Sequence, residues 1–152
     1  MNKELAFLGA LTLAVTPSST IAGHLPAQES EIKPGGNLSH TKLNNTDLQG
    51  VNLYGANLKD ANLREVNLSS AKLVDADLRG TDLTSSNLSD ANLRGANLSS
   101  ANLSDANFSD ADLRFANLTA ANLSNANLSD ANFSSANLTA ANLSNANLSD
   151  AN

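Results

Sequence analysis

"ANLTAANLSNANLSDANFSSANLTAANLSNANLSDAN", Ala116 to Asn152, is one five-residue word written repeatedly with small substitutions. Ala116–Asn132 returns letter for letter as Ala136–Asn152, twenty residues later. Followed backwards, the word keeps phase without a gap to Gly36, which makes 23 complete pentads between Gly36 and Asp150. Its third letter is Leu from Leu38 to Leu148, except at Phe108 and Phe133. Two residues earlier stands a small residue: Gly36, Thr41, Thr46, Val51, Ala56 and then mostly Ala. Between them is Asn or Asp, replaced by Lys at Lys42 and Lys72.

Neither regular element accommodates this period. On an α-helix a step of five turns about 500°, so successive Leu side chains drift by about 140° around the cylinder. On a continuous strand an odd step sends them to alternate faces. Within one word, however, the small residue and the Leu are two apart and share a face. The last two letters (Ser-Asp, Arg-Gly, Ser-Asn, Thr-Ala) are turn-tolerant. The chain therefore runs straight briefly, bends, and repeats with every Leu inside, as a solenoid does. The twenty-residue identity gives the coil four sides, and Asp90, Asp110, Asp130 and Asp150, also twenty apart, fall into one column. Stacked coils pair backbone amides at about 4.8 Å and let Asn87, Asn107, Asn127 and Asn147 form a side-chain ladder.

The word A-(D/N)-L-(S/T/R)-x, in unbroken phase from Gly36 onward, resembles the pentapeptide-repeat family. The resemblance implies an all-β fold, a right-handed quadrilateral β-helix of nearly six coils, with Leu, Phe and the small residues inside and the other letters outside.

The first residues read differently. Lys3 precedes an apolar run from Leu5 to Val15, then Thr16-Pro17-Ser18-Ser19, then Thr20-Ile21-Ala22 with small residues suited to cleavage. That layout is a secretory signal, and the run is too short to span a bilayer. The expected organisation is a signal peptide at 1–22, a linker or N-terminal cap at 23–35, and the repeat at 36–152. The chain stops within a word at Asn152, leaving Leu143 and Leu148 without a visible cap. Two outcomes are expected: end-to-end association through the C-terminal coil, as in a homodimer, or a longer gene.

Composition narrows the functions. The net charge is -6, so phosphate-backbone binding and anionic lipid are poor partners; no nucleic acid and, in the mature form, no membrane is expected. With no cysteine there is no disulfide, thiolate metal site or Cys nucleophile. His24 lies in the linker and His40 in the first word, and the Asp75/Asp77 pair is split by a bend. No catalytic residue and no cofactor is expected, and the protein reads as a non-enzyme.

Distributing words over four sides maps the surface. One side presents, as fourth letters, Tyr54, Val74, Arg94, Arg114 and Ser134, with Phe115 beside Arg114. Exposed aromatics and Arg favour interfaces, so Tyr54, Val74, Arg94, Arg114 and Phe115 form the candidate partner-binding strip; the plainer alternative is a set of solvated faces with Phe115 partly shielded by Arg114. The Asp90/Asp110/Asp130/Asp150 column is a weak candidate for a metal, since a calcium ion needs six to eight converging oxygens. The leading reading is an exported structural or protein-binding rod, its partner an unknown protein, located by family analogy in a cyanobacterial periplasm or thylakoid lumen. The resemblance also implies an alternative: an acidic rod imitating duplex DNA and binding DNA gyrase, a type II topoisomerase. A lesser alternative is a surface-binding solenoid for ice or polysaccharide, using the column Ser99, Thr119, Thr139.

Overall fold

The computed structural model describes residues 31–152. The signal peptide expected at 1–22, and residues 23–30 after it, lie outside the described residues. From Asn37↔Asn57 to Asn127↔Asn147, each word pairs in parallel with the word twenty residues on. Four words thus close one coil, and the chain winds as a right-handed quadrilateral β-helix. Leu98, Leu118 and Leu138 stand in one file: Leu98 N–H donates to the Asn117 carbonyl at 2.7 Å, and Leu118 N–H to that of Asn137 at 2.8 Å.

Each corner is made the same way. The amide opening a word donates to the Leu carbonyl three residues back, as Ala101 does to Leu98 at 3.1 Å, closing a four-residue turn. The third residue of that turn has positive φ at every corner, for example Gly55 at 60°, Asp90 at 57° and Ser100 at 58°. This is the arrangement of a type II turn, and explains why the fifth letter is so often Gly, Asn or Asp. The straight part is too short for a long strand, so pairing is one bridge per side, repeated coil after coil.

The second letter has a local task as well. Its side-chain oxygen accepts the N–H of the residue after the Leu, as Asn97 does from Ser99 at 3.1 Å and Asn92 from Arg94 at 3.2 Å. Such a bond braces the corner. Words with lysine in this place lack it, and the amides of Asn44 and Val74, which follow Lys42 and Lys72, find no acceptor among the described residues. Between coils the same amides make ladders. The longest begins where Asn67 donates to Asp47 at 2.9 Å and passes through Asn87, Asn107 and Asn127 to Asn147.

Inside, the Leu side chains from Leu38 to Leu128 and Phe108 are buried, and the alanines close the remaining width. Each such burial contributes roughly 1.5–3 kcal/mol before the cost of ordering the chain. Thr41, Thr81 and Ser86 fit among them because each hydroxyl donates to the preceding Leu carbonyl, at 2.7, 2.8 and 2.6 Å. Ile32 is buried on the first coil, and Gly35 N–H donates to the Tyr54 carbonyl at 2.8 Å. In the last coil Phe133, Leu138 and Leu143 pack partly buried against the core, and Leu148 is exposed.

Candidate partner-binding corner

Because the bend falls on the fourth and fifth letters, the strip occupies a corner rather than a flat side. Down it run Tyr54-Gly55, Val74-Asp75, Arg94-Gly95, Arg114-Phe115 and Ser134-Ser135. Tyr54, Val74, Asp75, Arg94, Gly95 and Phe115 border a shallow depression of about 310 Å³. Tyr54 is 53% and Phe115 56% exposed; apart from Leu148 they are the exposed large hydrophobic residues of the described chain. Two aromatic side chains of an aromatic-poor protein thus lie out of the core on the same corner.

Phe115 also carries a conformational cost. Its φ is 61°, in the left-handed region, where an L-residue loses roughly 1–2 kcal/mol relative to the right-handed one. Its ring is covered by Arg94, whose guanidinium carbon lies 5.4 Å from the ring centroid. In the plainer alternative, then, the arginine over Phe115 is Arg94 and not Arg114. Arg114 is clasped instead by Asp112, Nε to Oδ1 at 2.8 Å and Nη2 to Oδ2 at 2.6 Å, and does not border the depression. The clasp, chiefly the Arg114 side-chain hydrogen bonds, holds the Asp112 carboxyl below its ordinary range. Asp77 is lowered in the same way by Arg79 on the next side.

Of the five strip residues, then, Tyr54, Val74, Arg94 and Phe115 meet around one depression while Arg114 turns away. Sequence reasoning missed Asp75 and Gly95, although both are fifth letters of strip words and the four-sided map already placed them there. Gly95 takes a positive φ, and the Asp75 carboxylate leans into the space that a Cβ there would occupy, so any larger residue would displace that side chain. Asp75 and Arg94 form no ion pair among the described residues, unlike Arg79–Asp77 and Arg114–Asp112.

Elsewhere the surface is chemically quiet. Asp90, Asp110, Asp130 and Asp150 take the left-handed place at another corner, one per coil, and stand in file rather than converging. Among the described residues no group of three or more His, Cys, Asp or Glu is placed to hold a metal ion. His40 Nδ1 and Lys59 Nζ approach the same Asp60 oxygen at 3.9 and 3.8 Å, an exposed ion cluster with no nucleophile in it. The hydroxyls of Thr119 and Thr139 donate to Asn117 and Asn137 at 2.7 and 2.6 Å, so they are turned to their own words rather than outward. No helix of the described residues is long and apolar enough to cross a membrane.

The sequence pattern of pentapeptide repeats matches this chain in eight copies, over residues 37–69, 61–99, 86–125 and 116–152. No curated protein matches it. Among solved structures, a pentapeptide repeat protein from Nostoc is 36% identical, with 59% of this chain and 72% of that one covered and a TM-score of 0.53. Another, from the thylakoid lumen of Arabidopsis thaliana, is 29% identical over 74% of this chain and 77% of its own, with a TM-score of 0.49. A plasmid-mediated fluoroquinolone resistance protein is 20% identical over 78% and 65%, with a TM-score of 0.43.

Proposed function

Since this chain belongs to the pentapeptide-repeat family, we propose that it is a non-enzymatic, exported β-solenoid that binds a protein partner along the corner from Tyr54 to Phe115. One observation carries this reading: Phe115 is an exposed aromatic held at positive φ, where almost every other corner has a small or turn-forming residue. Stability alone disfavours Phe there, and strain of this kind collects at binding sites. Tyr54 at the far end of the same depression and the Arg94 guanidinium over the Phe115 ring give the corner the composition of an interface centre. Arg114, locked to Asp112, acts as a buttress beside it.

The division into a signal peptide at 1–22, a cap at 23–35 and a repeat at 36–152 belongs to the same proposal. The charged start, apolar run and small residues before Gly23 support export, and the buried Ile32 supports a cap ending at Gly35. Export points to a periplasm or thylakoid lumen. Replacing Phe115 with a photo-crosslinking phenylalanine analogue in the native host tests the docking corner. One defined protein adduct, absent when the analogue is placed at Thr119, is the expected result; adducts equal at both positions overturn it.

A further inference from the structure

We propose that the segment docked at this corner is a proline-rich stretch in the polyproline conformation, carrying a basic residue at one end. This rests on the docking reading above and adds the partner's chemistry. The backbone of the corner offers a β-strand few donors. Gly55, Asp75, Gly95 and Phe115 all donate their N–H to the next coil, to the carbonyls of Val74, Arg94, Arg114 and Ser134. A strand laid along the corner would find those donors taken and leave its own carbonyls unpaired, whereas a polyproline helix has no backbone ladder to complete.

What the corner does offer is a small set of donors between aromatic walls. Among the described residues the Val74 N–H lacks an acceptor, because the second letter of its word is Lys72, which has no side-chain oxygen to brace the turn. The equivalent amides of Tyr54 and Arg94 on the same corner are taken by Asn52 and Asn92, at 3.2 Å each. A ligand carbonyl can therefore accept from Val74 N–H and from the Arg94 guanidinium, which is in no ion pair among the described residues. Proline-rich segments present such carbonyls and pack their rings on aromatic side chains. Tyr54 and Phe115 stand three coils apart, about 14 Å at the strand spacing, which roughly five polyproline residues cover.

The charge of the flank follows from Asp75. Its carboxylate lies over Gly95 within the depression with no ion-pair partner among the described residues, on a chain of net charge -6. A basic side chain placed against Asp75 satisfies it and is drawn in by the net charge of the chain, while the Arg94 charge is shared with Asp112 beside it; an acidic side chain at the Asp75 end is repelled.

Tyr54 is the one tyrosine of a chain without tryptophan, so intrinsic fluorescence reports on the corner directly. The probe is the acetylated peptide Pro-Pro-Leu-Pro-Pro-Arg, compared with a version carrying Ala for every Pro and one carrying Glu for Arg. Saturable change of Tyr54 emission with the first peptide is expected, with affinity falling about tenfold for each of the others. Lys72→Asn, which supplies Val74 N–H with an internal acceptor, should weaken binding about threefold to tenfold. Lys42→Asn, the same change away from the corner, should leave binding as it was. No response at millimolar probe, equal binding of the alanine peptide, or a Lys72→Asn protein binding as tightly as Lys42→Asn overturns the inference. If crosslinking from position 115 still yields its defined adduct in that case, the partner chemistry alone is wrong; loss of both removes the docking corner too.

Discussion

Phe115 shows how one side chain opposes the rule its neighbours obey. At the same corner Gly55 and Gly95 take positive φ without penalty, and Asp75 tolerates it, while a phenyl ring gains nothing from that backbone except exposure. The Arg94 contact returns part of the cost, about 0.5–1 kcal/mol for an exposed cation–π pair. Phe115→Asn should therefore raise the melting temperature by about 1–4 °C, since a gain near 1 kcal/mol moves a domain of this size by that amount. The same variant should lose the partner. Calorimetric melts and a binding measurement on one preparation check both; a variant that melts lower and still binds contradicts the account of this residue.

At the scale of the element, the Asn ladder from Asp47 to Asn147 has a direction. Every amide nitrogen donates toward the N-terminus, to the oxygen of the residue twenty places earlier. An acceptor-only carboxylate fits solely at the starting end, which is where Asp47 stands. In the interior, Asn107 donates to Asn87 at 3.2 Å and accepts from Asn127 at 3.0 Å and from the Ser109 amide at 3.1 Å. Asn107→Asp removes the donation and keeps both acceptances, so it should cost about 1 kcal/mol; Asn107→Ala removes all three and should cost about 2–3 kcal/mol. Denaturant unfolding distinguishes them, with equal losses being the contrary result. On the fourth side Lys72 and Asp112 interrupt the corresponding column, and no such ladder links its words among the described residues. That interruption is also what frees the Val74 amide.

For the whole molecule, the reading as an imitation of DNA turns on charge density. A duplex carries one charge per about 1.7 Å of axis, while the repeat from Gly36 to Asn152, with 7 Lys and Arg against 12 Asp and Glu, spreads five net charges over a rod of roughly 28 Å, about one per 6 Å. Added to gyrase, the repeat should leave supercoiling unchanged at concentrations equal to the enzyme; inhibition there would restore the alternative. Acid stability depends on different groups. Arg79 and Arg114 lower the carboxyls of Asp77 and Asp112, and hydrogen bonds from Thr84 lower that of Asp82 despite its partial burial. A depressed folded value means stability that is present above the unfolded carboxylate value of about 3.9 and lost as pH falls through the lower one. Melting temperature should hold from neutrality to about pH 4 and fall below it. Asp77→Asn combined with Asp112→Asn should flatten that fall, and an unaltered slope would show that these pairs do not control it.

Periodicity by itself determined the square coil, the interior file of Leu98, Leu118 and Leu138, and the ladder through Asn107. Each depends on a step of five or twenty residues, which every word states again and which backbone geometry converts into position. The four-sided map likewise put Tyr54, Val74, Arg94 and Phe115 on one edge. Only the tertiary structure decided that Arg94 covers Phe115 while Arg114 turns to Asp112, that Asp75 leans over Gly95, and that the Val74 amide lacks an acceptor. Those outcomes are choices among nearby side-chain partners within and between adjacent coils. A repeating word specifies which residues are neighbours, and packing and hydrogen-bond geometry then select which of them touch.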